Sequence, residues 1–362
     1  MASLGILPGD RDEPGLRIAF VAGTRNPQLF QEDPSFIYRC QNLGLALQAM
    51  GHQVFWLHWS ALRPGQNLDV AVFHRPRYSL VWRARLWWLR RQGTILVADV
   101  DDLIFDPELA RYSPGVVNGL VPLPKTAQQF AIHRAALMCF DRVTVSTEPL
   151  AAQVRNQLTG AAVQVLPNAV HLSWLDAQAG LPPRPYSPVV TYFPGTRSHD
   201  RDFAVYAGGV ANFLAAHGDA RLEITGPLNF DLQARPGQVV RHERIPFARY
   251  ADHVRSSWVN LAPLELTPFT RCKSALKVLE AGFWGIPTVC SPLPDAERFA
   301  SAGAVFAPDS QACFTALQAL ANPSYYAEIT HGLSERVLAR AGVRNIARTF
   351  LQFVREAAGR KG

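Results

Sequence analysis

Short apolar segments alternate with segments of helical spacing along most of this chain. Residues 16–23, "LRIAFVAG", are an apolar run that ends in glycine, which is typical of a buried strand. In the segment that follows, Leu43, Leu47 and Met50 recur at helical spacing, and the apolar run "QVFWLHW" comes next. Because this order is repeated through "DVAVFHRP", "TILVADV" and "RVTVST", the sequence predicts parallel sheets covered by helices, the doubly wound α/β class.

The alternation is interrupted once, over residues 166–188, where five prolines occur without a clear period. A chain of 362 residues is long enough for two domains. We therefore predict two Rossmann-like domains that face a central cleft, since such sheets bind ligands at the carboxyl ends of their strands. The predicted parts are a flexible arm (1–16), two domains (17–180 and 181–340) and a C-terminal helix (341–362) that crosses back to the first domain.

The net charge of the chain indicates what kind of partner it binds, and its cysteines indicate the cell compartment. A net charge of +7 favours anionic partners such as nucleotides, phosphates or anionic lipid. The sequence contains no zinc, helix-turn-helix or RNA-recognition pattern, so nucleic acid is not an expected partner. The five cysteines form no CxxC pair, which is typical of a reduced, cytoplasmic protein. No apolar run reaches the length of about 18 residues that a membrane-spanning helix needs.

Residues 97–106, "VADVDDLIFD", place four aspartates where a predicted strand ends. Three interpretations are open at this point. The carboxylates could bind a metal, they could be catalytic groups at the end of a strand, or they could be solvated acids on a loop that Asp102 caps. The spacing of the residues does not choose among these.

A second stretch, 273–291, has the sequence "KSALKVLEAGFWGIPTVCS" and is expected to begin with a helix. Helical spacing places four apolar residues on one face, which should be buried: Cys272, Leu276, Leu279 and Phe283. Lys273, Lys277 and Glu280 form a separate stripe at i, i+4 and i+7. Spacing alone is consistent with a solvated helix surface as well as with a binding site.

The segment "LEAGFWGIPTVCS" resembles the EAxxxGxPVVxS segment of nucleotide-sugar glycosyltransferases with the two-domain GT-B architecture, family 4 in particular. Further segments occur in the order that such enzymes show: "VADVDDLIFD", "RVTVSTEPLAAQV", "VLPNAV", "YFPGTRSHDRDF" and "LAPLELTPFTRCKSALKVLEAG". The resemblance covers roughly residues 17–300. It implies an enzyme that moves a sugar from a nucleotide diphosphate sugar to a hydroxyl of a glycan or lipid-linked glycan in bacterial surface polysaccharide synthesis. The implied reaction retains the anomeric configuration and uses neither a metal nor another cofactor.

Carried over position by position, the resemblance implies that the second domain holds the donor. Glu280 matches the glutamate that binds the ribose hydroxyls, and Cys272 stands where the family often has another glutamate, eight residues earlier. Lys273 and Lys277 are candidates for binding the diphosphate, with a solvated surface charge as the alternative for each. Three further donor-side residues are Ser274 and, on a loop that in the family lies against the transferred sugar, Glu265 and Phe269.

The segment "FPGTRSHDRDF" matches a turn that holds diphosphate in similar enzymes. Gly195 allows close approach of the backbone, and Thr196 can donate a hydrogen bond. The cation that neutralises the phosphate charge is one of three residues: Arg197, His199 or Arg201. The alternative is a turn with a purely structural role, capped by Ser198 or Asp200.

By the same resemblance the first domain binds the acceptor. Asp101 or Asp102 is expected to orient or deprotonate the acceptor hydroxyl, and Lys273 and His199 complete the set of candidate catalytic residues. The Asp-x-Asp pattern of residues 99–101 holds a metal in the other glycosyltransferase architecture, but cationic groups of the second domain make a metal unnecessary here. Further candidates for acceptor binding are Tyr38, Arg39, His74, Arg75 and Asp102, with a structural salt bridge as the alternative for the basic residues.

Residues 74–93 contain six arginines and three tryptophans. Four residues fall on one helical face and should pack inward: Tyr78, Trp82, Leu86 and Leu89. Trp87 falls between Arg83, Arg90 and Arg91 on another face, a pattern that suits peripheral contact with the inner face of the cytoplasmic membrane. The alternative is a helix that covers the sheet and has solvated arginines.

Two other functions are open beside glycosyl transfer. One is a nucleotide-sugar epimerase of the same architecture, which would convert the donor without an acceptor. The other is a catalytically silent nucleotide-binding scaffold of a glycan assembly complex, favoured by Cys272 at the position of the second glutamate.

Overall fold

The computed structural model describes residues 15–24, 26–178, 187–195 and 197–358. The contacts among these residues define two compact units. Unit 1 contains the chain up to Phe105, Gln129–Leu172 and the chain from Val343; unit 2 contains Asp106–Gln128 and Ser173–Gly342. The units are therefore discontinuous in sequence. Most of the predicted N-terminal arm and part of the predicted linker lie outside the described residues.

The helices lie between the strands in the alternating order that the sequence predicts. In chain order they are α1 (Pro34–Phe36), α2 (Asn42–Ala49), α3 (Leu80–Arg91), α4 (Pro114–Val117), α5 (Leu123–Leu137), α6 (Glu148–Gln157), α7 (Leu172–Gln178), α8 (Asp200–Ala216), α9 (Phe247–Arg255), α10 (Leu276–Phe283), α11 (Ser310–Leu320), α12 (Pro323–Thr330), α13 (Leu333–Ala341) and α14 (Val343–Ala358). A π-helical turn, Ile37–Gln41, joins α1 to α2. Within the described parts of the chain, no helix is both long and apolar enough to cross a membrane.

Six strands form the sheet of unit 1: β1 (Arg17–Ala22), β2 (Gln53–His58), β3 (Val70–His74), β4 (Ile95–Val100), β5 (Arg142–Val145) and β6 (Ala162–Val165). All are parallel and lie in the order β2-β1-β3-β4-β5-β6. Residues 18–22 of β1 are fully buried, as expected for a strand that is covered on both faces. The last helix, α14, joins this core, where the ring centroids of Phe20 and Phe350 are 6.2 Å apart.

A second sheet of six strands is the centre of unit 2: β7 (Val189–Tyr192), β8 (Arg221–Thr225), β9 (Val239–His242), β10 (Val259–Ala262), β11 (Thr288–Cys290) and β12 (Ala304–Phe306). These strands are also all parallel, in the order β12-β11-β10-β7-β8-β9. Apolar residues of α8 and α11 pack with β7, β8 and β10 in one buried cluster. The prediction of two Rossmann-like parallel sheets is therefore confirmed.

Each sheet has a point at which the order of its strands reverses. In unit 1 this switch point lies between β1 and β3, and in unit 2 it lies between β7 and β10. The carboxyl ends of such strands border a crevice in which doubly wound sheets bind ligands. Residues that follow β3, β7 and β10 are therefore the first candidates for function.

Helix α3 buries the face that the sequence predicts. Trp82, Leu86 and Leu89 are buried, and the side chain of Ser79 caps the helix by accepting from the backbone N–H of Trp82 at 3.2 Å. Trp87 is 58% exposed, and the guanidinium of Arg91 lies 4.7 Å from the centre of its ring. The solvent face of α3 thus combines an exposed aromatic ring with cationic side chains.

Candidate functional site

The switch point of unit 2 begins with a turn after β7. The chain passes through Pro194 and Gly195, forms a 3-10 turn over Arg197–His199 and enters α8 at Asp200. Gly195 has a φ of 72°, and a Cβ added there would meet no atom within 4 Å. The left-handed backbone, rather than crowding, therefore requires glycine. Thr196, the predicted donor of a hydrogen bond to diphosphate, lies outside the described residues.

His199 stands at the end of this turn and is oriented by a carboxylate. Its Nδ1 lies 2.8 Å from Oδ2 of Asp202, so Nδ1 carries the proton of the neutral ring. Burial is the main cause that lowers the pKa of His199; Asp202 opposes the shift, and the charges of Lys273 and Lys277 add to it. The structure thus brings three predicted residues, His199, Lys273 and Lys277, close together.

Glu280 is buried in α10, where it is 4% exposed. Its Oε2 accepts a hydrogen bond of 2.8 Å from the hydroxyl of Tyr250. Lys277, one turn earlier, donates to the carbonyl oxygen of Phe193 at the end of β7. Burial lowers the pKa of Lys277, and the charge of Glu280 opposes this shift. A solvated stripe on a helix surface is therefore the wrong interpretation for this pair.

Lys273 and Ser274 precede α10, which begins at Leu276. The prediction of a helix that starts at Lys273 is wrong, because Thr270–Cys272 form a 3-10 turn and the backbone at Lys273 is extended (φ −72°, ψ 149°). The ammonium group of Lys273 lies 5.4 Å from the ring centre of Phe269, within the range of a cation–π contact. Both lysines are therefore held beside the start of α10 by different parts of the chain.

Glu265 follows β10 and forms a bidentate ion pair with Arg201 of α8, with N···O distances of 2.9 and 2.6 Å. The backbone N–H of Glu265 also donates to Oδ1 of Asp202 at 2.9 Å. The loop predicted to lie against the transferred sugar is thus fastened to α8. Arg201 directs its charge to this carboxylate, whereas Arg197 is exposed.

Asn118 is a site residue that the sequence did not reveal. Its Nδ2 donates to the carbonyl oxygen of Ser198 at 2.8 Å, and its Oδ1 accepts from the backbone N–H of Arg201 at 3.3 Å. It therefore supports the turn between β7 and α8. No local pattern marks this role, because Asn118 and its partners are 80 and 83 residues apart in the chain.

Asp99 lies near the end of β4, opposite His74 of β3, and is therefore beside the switch point of unit 1. Its two carboxylate oxygens bind Arg39 Nη2 at 2.6 Å and His74 Nδ1 at 2.8 Å, and Thr144 donates to it at 2.8 Å. Burial alone would raise the pKa of Asp99, but the charges of Arg39 and His74 lower it to about 2. Asp99 is therefore ionised and is fully engaged within unit 1.

Asp101 and Asp102 surround the guanidinium of Arg75. Arg75 Nε lies 2.6 Å from Oδ1 of Asp101, and Nη2 lies 3.5 Å from Oδ2 of Asp102. Burial alone would raise the pKa of Asp101, but Arg75 and His74 hold it well below its usual range. Arg75 has a φ of 47°, and it is the one non-glycine residue with positive φ among those the structure describes. All three side chains keep some contact with solvent.

Arg39 and Tyr38 lie in the π-helical turn and are buried. The guanidinium of Arg39 donates to Asp99, to the carbonyl oxygen of Leu166 and to Asn168 Oδ1, the last at 3.3 Å. This geometry fits the structural ion pair that the sequence left open as the alternative to acceptor binding. The ring of Tyr38 packs edge-on against His171.

The Asp-x-Asp pattern does not form a pair of free carboxylates. Asp99 binds Arg39 and His74, while Asp101 binds Arg75. Across the described ranges of the chain, no group of three or more His, Cys, Asp or Glu side chains is arranged to hold a metal ion.

Comparison with protein families gives a match in the C-terminal part of the chain. Residues 210–352, less than half of the chain, match the family model described as "Glycosyl transferase-like". This range includes β8 to β12 and α10 with Glu280. No curated protein matches the sequence.

Solved structures share the fold at low sequence identity. A glycosyltransferase from Rickettsia africae ESF-5 is 8% identical, with a TM-score of 0.62 over 95% of this chain and 99% of that one. The glycotransferase of kitacinnamycin is 15% identical, with a TM-score of 0.53 over 93% and 98%. A putative UDP-N-acetylglucosamine 2-epimerase from Listeria monocytogenes is 12% identical, with a TM-score of 0.52 over 94% and 95%. The resemblance to GT-B glycosyltransferases is confirmed for the fold, while assignment to family 4 stays a prediction.

Proposed function

We propose that this protein is a glycosyltransferase that moves a sugar from a nucleotide diphosphate sugar to a hydroxyl acceptor. The observation that carries the proposal is a pair of charges on α10, the buried Glu280 and the half-buried Lys277, at the switch point of a glycosyl transferase-like sheet. Burying charged groups costs free energy unless they are paired or used in binding. A nucleotide sugar offers a group for each charge: ribose hydroxyls for the carboxylate and a diphosphate for the ammonium group.

The donor is expected to bind unit 2. The Tyr250 hydroxyl donates to Oε2 of Glu280, and a carboxylate has the capacity to accept further hydrogen bonds from ribose hydroxyls. Lys273 and Lys277 then face the diphosphate, together with His199 and the turn that contains Gly195. Charges act more strongly in a buried site than in water, so these cations are well placed to stabilise the diphosphate as it leaves.

The reaction breaks the bond between the anomeric carbon and the diphosphate oxygen, which leaves with the bonding electrons. The acceptor hydroxyl forms the new bond to that carbon. We propose retention of configuration by departure and attack on the same face, without a metal, which rests on the family 4 resemblance. Glu265 and Phe269 are expected to line the sugar, and Ser274 to assist at the diphosphate. On the acceptor side Asp101, Asp102 and Arg75 are the accessible charged groups.

The acceptor is proposed to be a glycan or lipid-linked glycan of a bacterial surface polysaccharide, used at the cytoplasmic face of the membrane. The solvent face of α3 supports this partner. Trp87 is exposed beside Arg91, and Leu80 and Val81 on the same helix are also exposed. An aromatic ring with neighbouring arginines suits the interface of an anionic bilayer.

The first test is thermal stabilisation by UDP, GDP, TDP and CDP, each with magnesium and with EDTA. A shift with one nucleotide that EDTA does not change is expected, and it would identify the base of the donor. A shift that requires magnesium would contradict the metal-free mechanism. If no nucleotide stabilises the protein, the donor assignment is wrong.

Turnover separates the remaining functions. Transfer of sugar to an acceptor supports the proposal, whereas conversion of the nucleotide sugar without any acceptor indicates an epimerase. Nucleotide binding without turnover on a panel of acceptors indicates a scaffold. Cys272 favours that last alternative, because a buried thiol occupies the position of a family glutamate.

A further inference from the structure

Ser35 forms a hydroxyl–imidazole–carboxylate array with two residues of the unit 1 switch point. Its Oγ lies 2.8 Å from Nε2 of His74, and Nδ1 of His74 lies 2.8 Å from Oδ2 of Asp99. The same Oγ lies 2.5 Å from Oδ2 of Asp101. In such arrays the imidazole takes the proton of the hydroxyl, and the carboxylate orients the ring. Ser35 was not a predicted site residue.

The contacts of this array set the direction in which a proton can move. Nδ1 of His74 faces the carboxylate of Asp99, so the proton of a neutral ring resides on Nδ1 and Nε2 can accept. The Ser35 hydroxyl faces Nε2 and also faces Asp101. The ion pair with Arg75 keeps Asp101 ionised, so its carboxylate accepts hydrogen bonds in this array and does not supply a proton.

Burial decides which members of the array a substrate can reach. His74 is 0% exposed and Asp99 is buried, so neither can touch an acceptor. Ser35 is half-buried, and the side chain of Asp101 is 13% exposed. Asp101 alone is a weak base because its pKa is low. An imidazole is ordinarily a stronger base than a carboxylate, and the ring of His74 is reached only through the hydroxyl of Ser35.

We infer that Ser35 is a catalytic residue that passes the proton of the acceptor hydroxyl to His74, an inference that rests on the proposed function. As the acceptor oxygen bonds to the anomeric carbon and the diphosphate leaves, the acceptor proton moves to Ser35 Oγ and the Ser35 proton moves to Nε2 of His74. Ser35 is restored, and His74 gains one proton. That proton returns to solvent through Ser35 before the next turnover. Asp99 is a positioning residue.

The charged neighbours of His74 can balance the proton that it gains. Arg39 and Arg75 carry positive charge, while Asp99, Asp101 and Asp102 carry negative charge, so carboxylates outnumber guanidinium groups around the ring. Three other titratable groups lie close by: Asp33, which accepts from the Ser35 backbone N–H at 3.0 Å, and the buried Cys40 and His133. Burial raises the pKa of Cys40 and lowers that of His133, so both are neutral near pH 7.

The kinetic test compares Ser35→Ala with a matched control. Ser60→Ala also removes a hydroxyl that contacts an imidazole nitrogen of unit 1, His58 Nδ1 at 2.7 Å, but outside this array. With the full-length protein, Ser35→Ala is expected to lower kcat by about 10²- to 10⁴-fold with an unchanged donor KM. Ser60→Ala should behave as wild type.

Ser35→Thr keeps the hydroxyl and is expected to restore most of the rate. A wild-type rate in Ser35→Ala, or an equal loss in Ser35→Thr and Ser35→Ala, would overturn the inference. A second measurement does not depend on transferase activity: the ¹⁵N shifts of His74, assigned with His74→Gln, should show the proton of the neutral ring on Nδ1. A neutral ring with its proton on Nε2 could not accept from Ser35 and would overturn the inference even if the protein transfers no sugar. If the wild-type protein turns over no nucleotide sugar, by contrast, the proposed function is contradicted.

Discussion

Replacing Glu280 with glutamine tests the donor site with the smallest change of shape. The carboxylate is buried in α10 and is bonded to the Tyr250 hydroxyl at 2.8 Å. An amide oxygen can still accept from Tyr250, so the fold should be preserved. What is lost is the negative charge that a ribose hydroxyl would use as its acceptor.

The magnitude follows from the strength of one hydrogen bond to a charged group. Such bonds contribute about 1.5–3 kcal/mol, which is about a 10- to 150-fold change in affinity. We therefore expect the Kd of the nucleoside diphosphate to rise by about 10- to 150-fold in Glu280→Gln. The neighbouring Lys277 loses the partner that opposes the lowering of its pKa by burial. The loss of affinity should therefore grow as the pH rises, because Lys277 then loses its charge more readily.

Isothermal titration calorimetry with the nucleotide identified by thermal stabilisation gives the Kd directly. Glu328→Gln is the matched control, because Glu328 is an exposed acid on α12 of the same unit. Thermal unfolding and circular dichroism should show a folded Glu280→Gln protein. A folded variant whose Kd equals that of the wild type would refute the assignment of Glu280 to the donor.

Three further predictions concern the turn after β7, the buried ion pair and the surface of α3. Gly195→Ala should destabilise the protein by about 1–2 kcal/mol, because Gly195 has a positive φ, and it should also weaken nucleotide binding. Gly237 likewise has a positive φ and open space around it, so Gly237→Ala should lower stability without changing nucleotide binding. Chemical denaturation measures the stability, and calorimetry measures the binding. The pKa of Asp99 is lowered to about 2 in the folded protein, whereas an Asp in the unfolded chain has a pKa of about 4. The contribution of Asp99 to stability is therefore complete above about pH 4 and is lost as the pH falls from about 4 to about 2. In urea unfolding experiments, the stability of Asp99→Asn should lack this part of the pH dependence. Trp87→Ser should reduce the fraction of protein that sediments with anionic vesicles and should not change nucleotide binding. Tyr325→Ser removes another exposed aromatic residue and should sediment as wild type. Equal sedimentation of Trp87→Ser and wild type would contradict the membrane contact.

Three strands of the structure, β6, β9 and β12, were not predicted from an apolar run in the sequence, and they share one property. β6, β9 and β12 are all at the edges of their sheets, and most of their residues are half-exposed. A central parallel strand is buried on both faces and therefore reads as a continuous apolar run. An edge strand needs no such run, so its sequence can resemble that of a loop, although β2, also at an edge, does have an apolar run.

The start of α10 shows a different limit of sequence interpretation. Helical spacing extends from Lys273 to Glu280, yet the helix begins only at Leu276 because a 3-10 turn precedes it. The spacing nevertheless placed Lys277 and Glu280 on the same stripe of the helix. Whether this pair faces solvent or contacts other residues depends on Tyr250 and Phe193, which come from other elements.

By itself the sequence determined the doubly wound class and the ends of the central strands, because the periodicity of buried residues is local. Only the tertiary structure decided which charges meet. Arg39 binds Asp99, 60 residues away, and Ser35 reaches Asp101, 66 residues away. The chain brings such residues together at the carboxyl ends of adjacent parallel strands, and the pairing of their charges there depends on side-chain positions that no local pattern encodes. The role of Ser35 follows from that pairing.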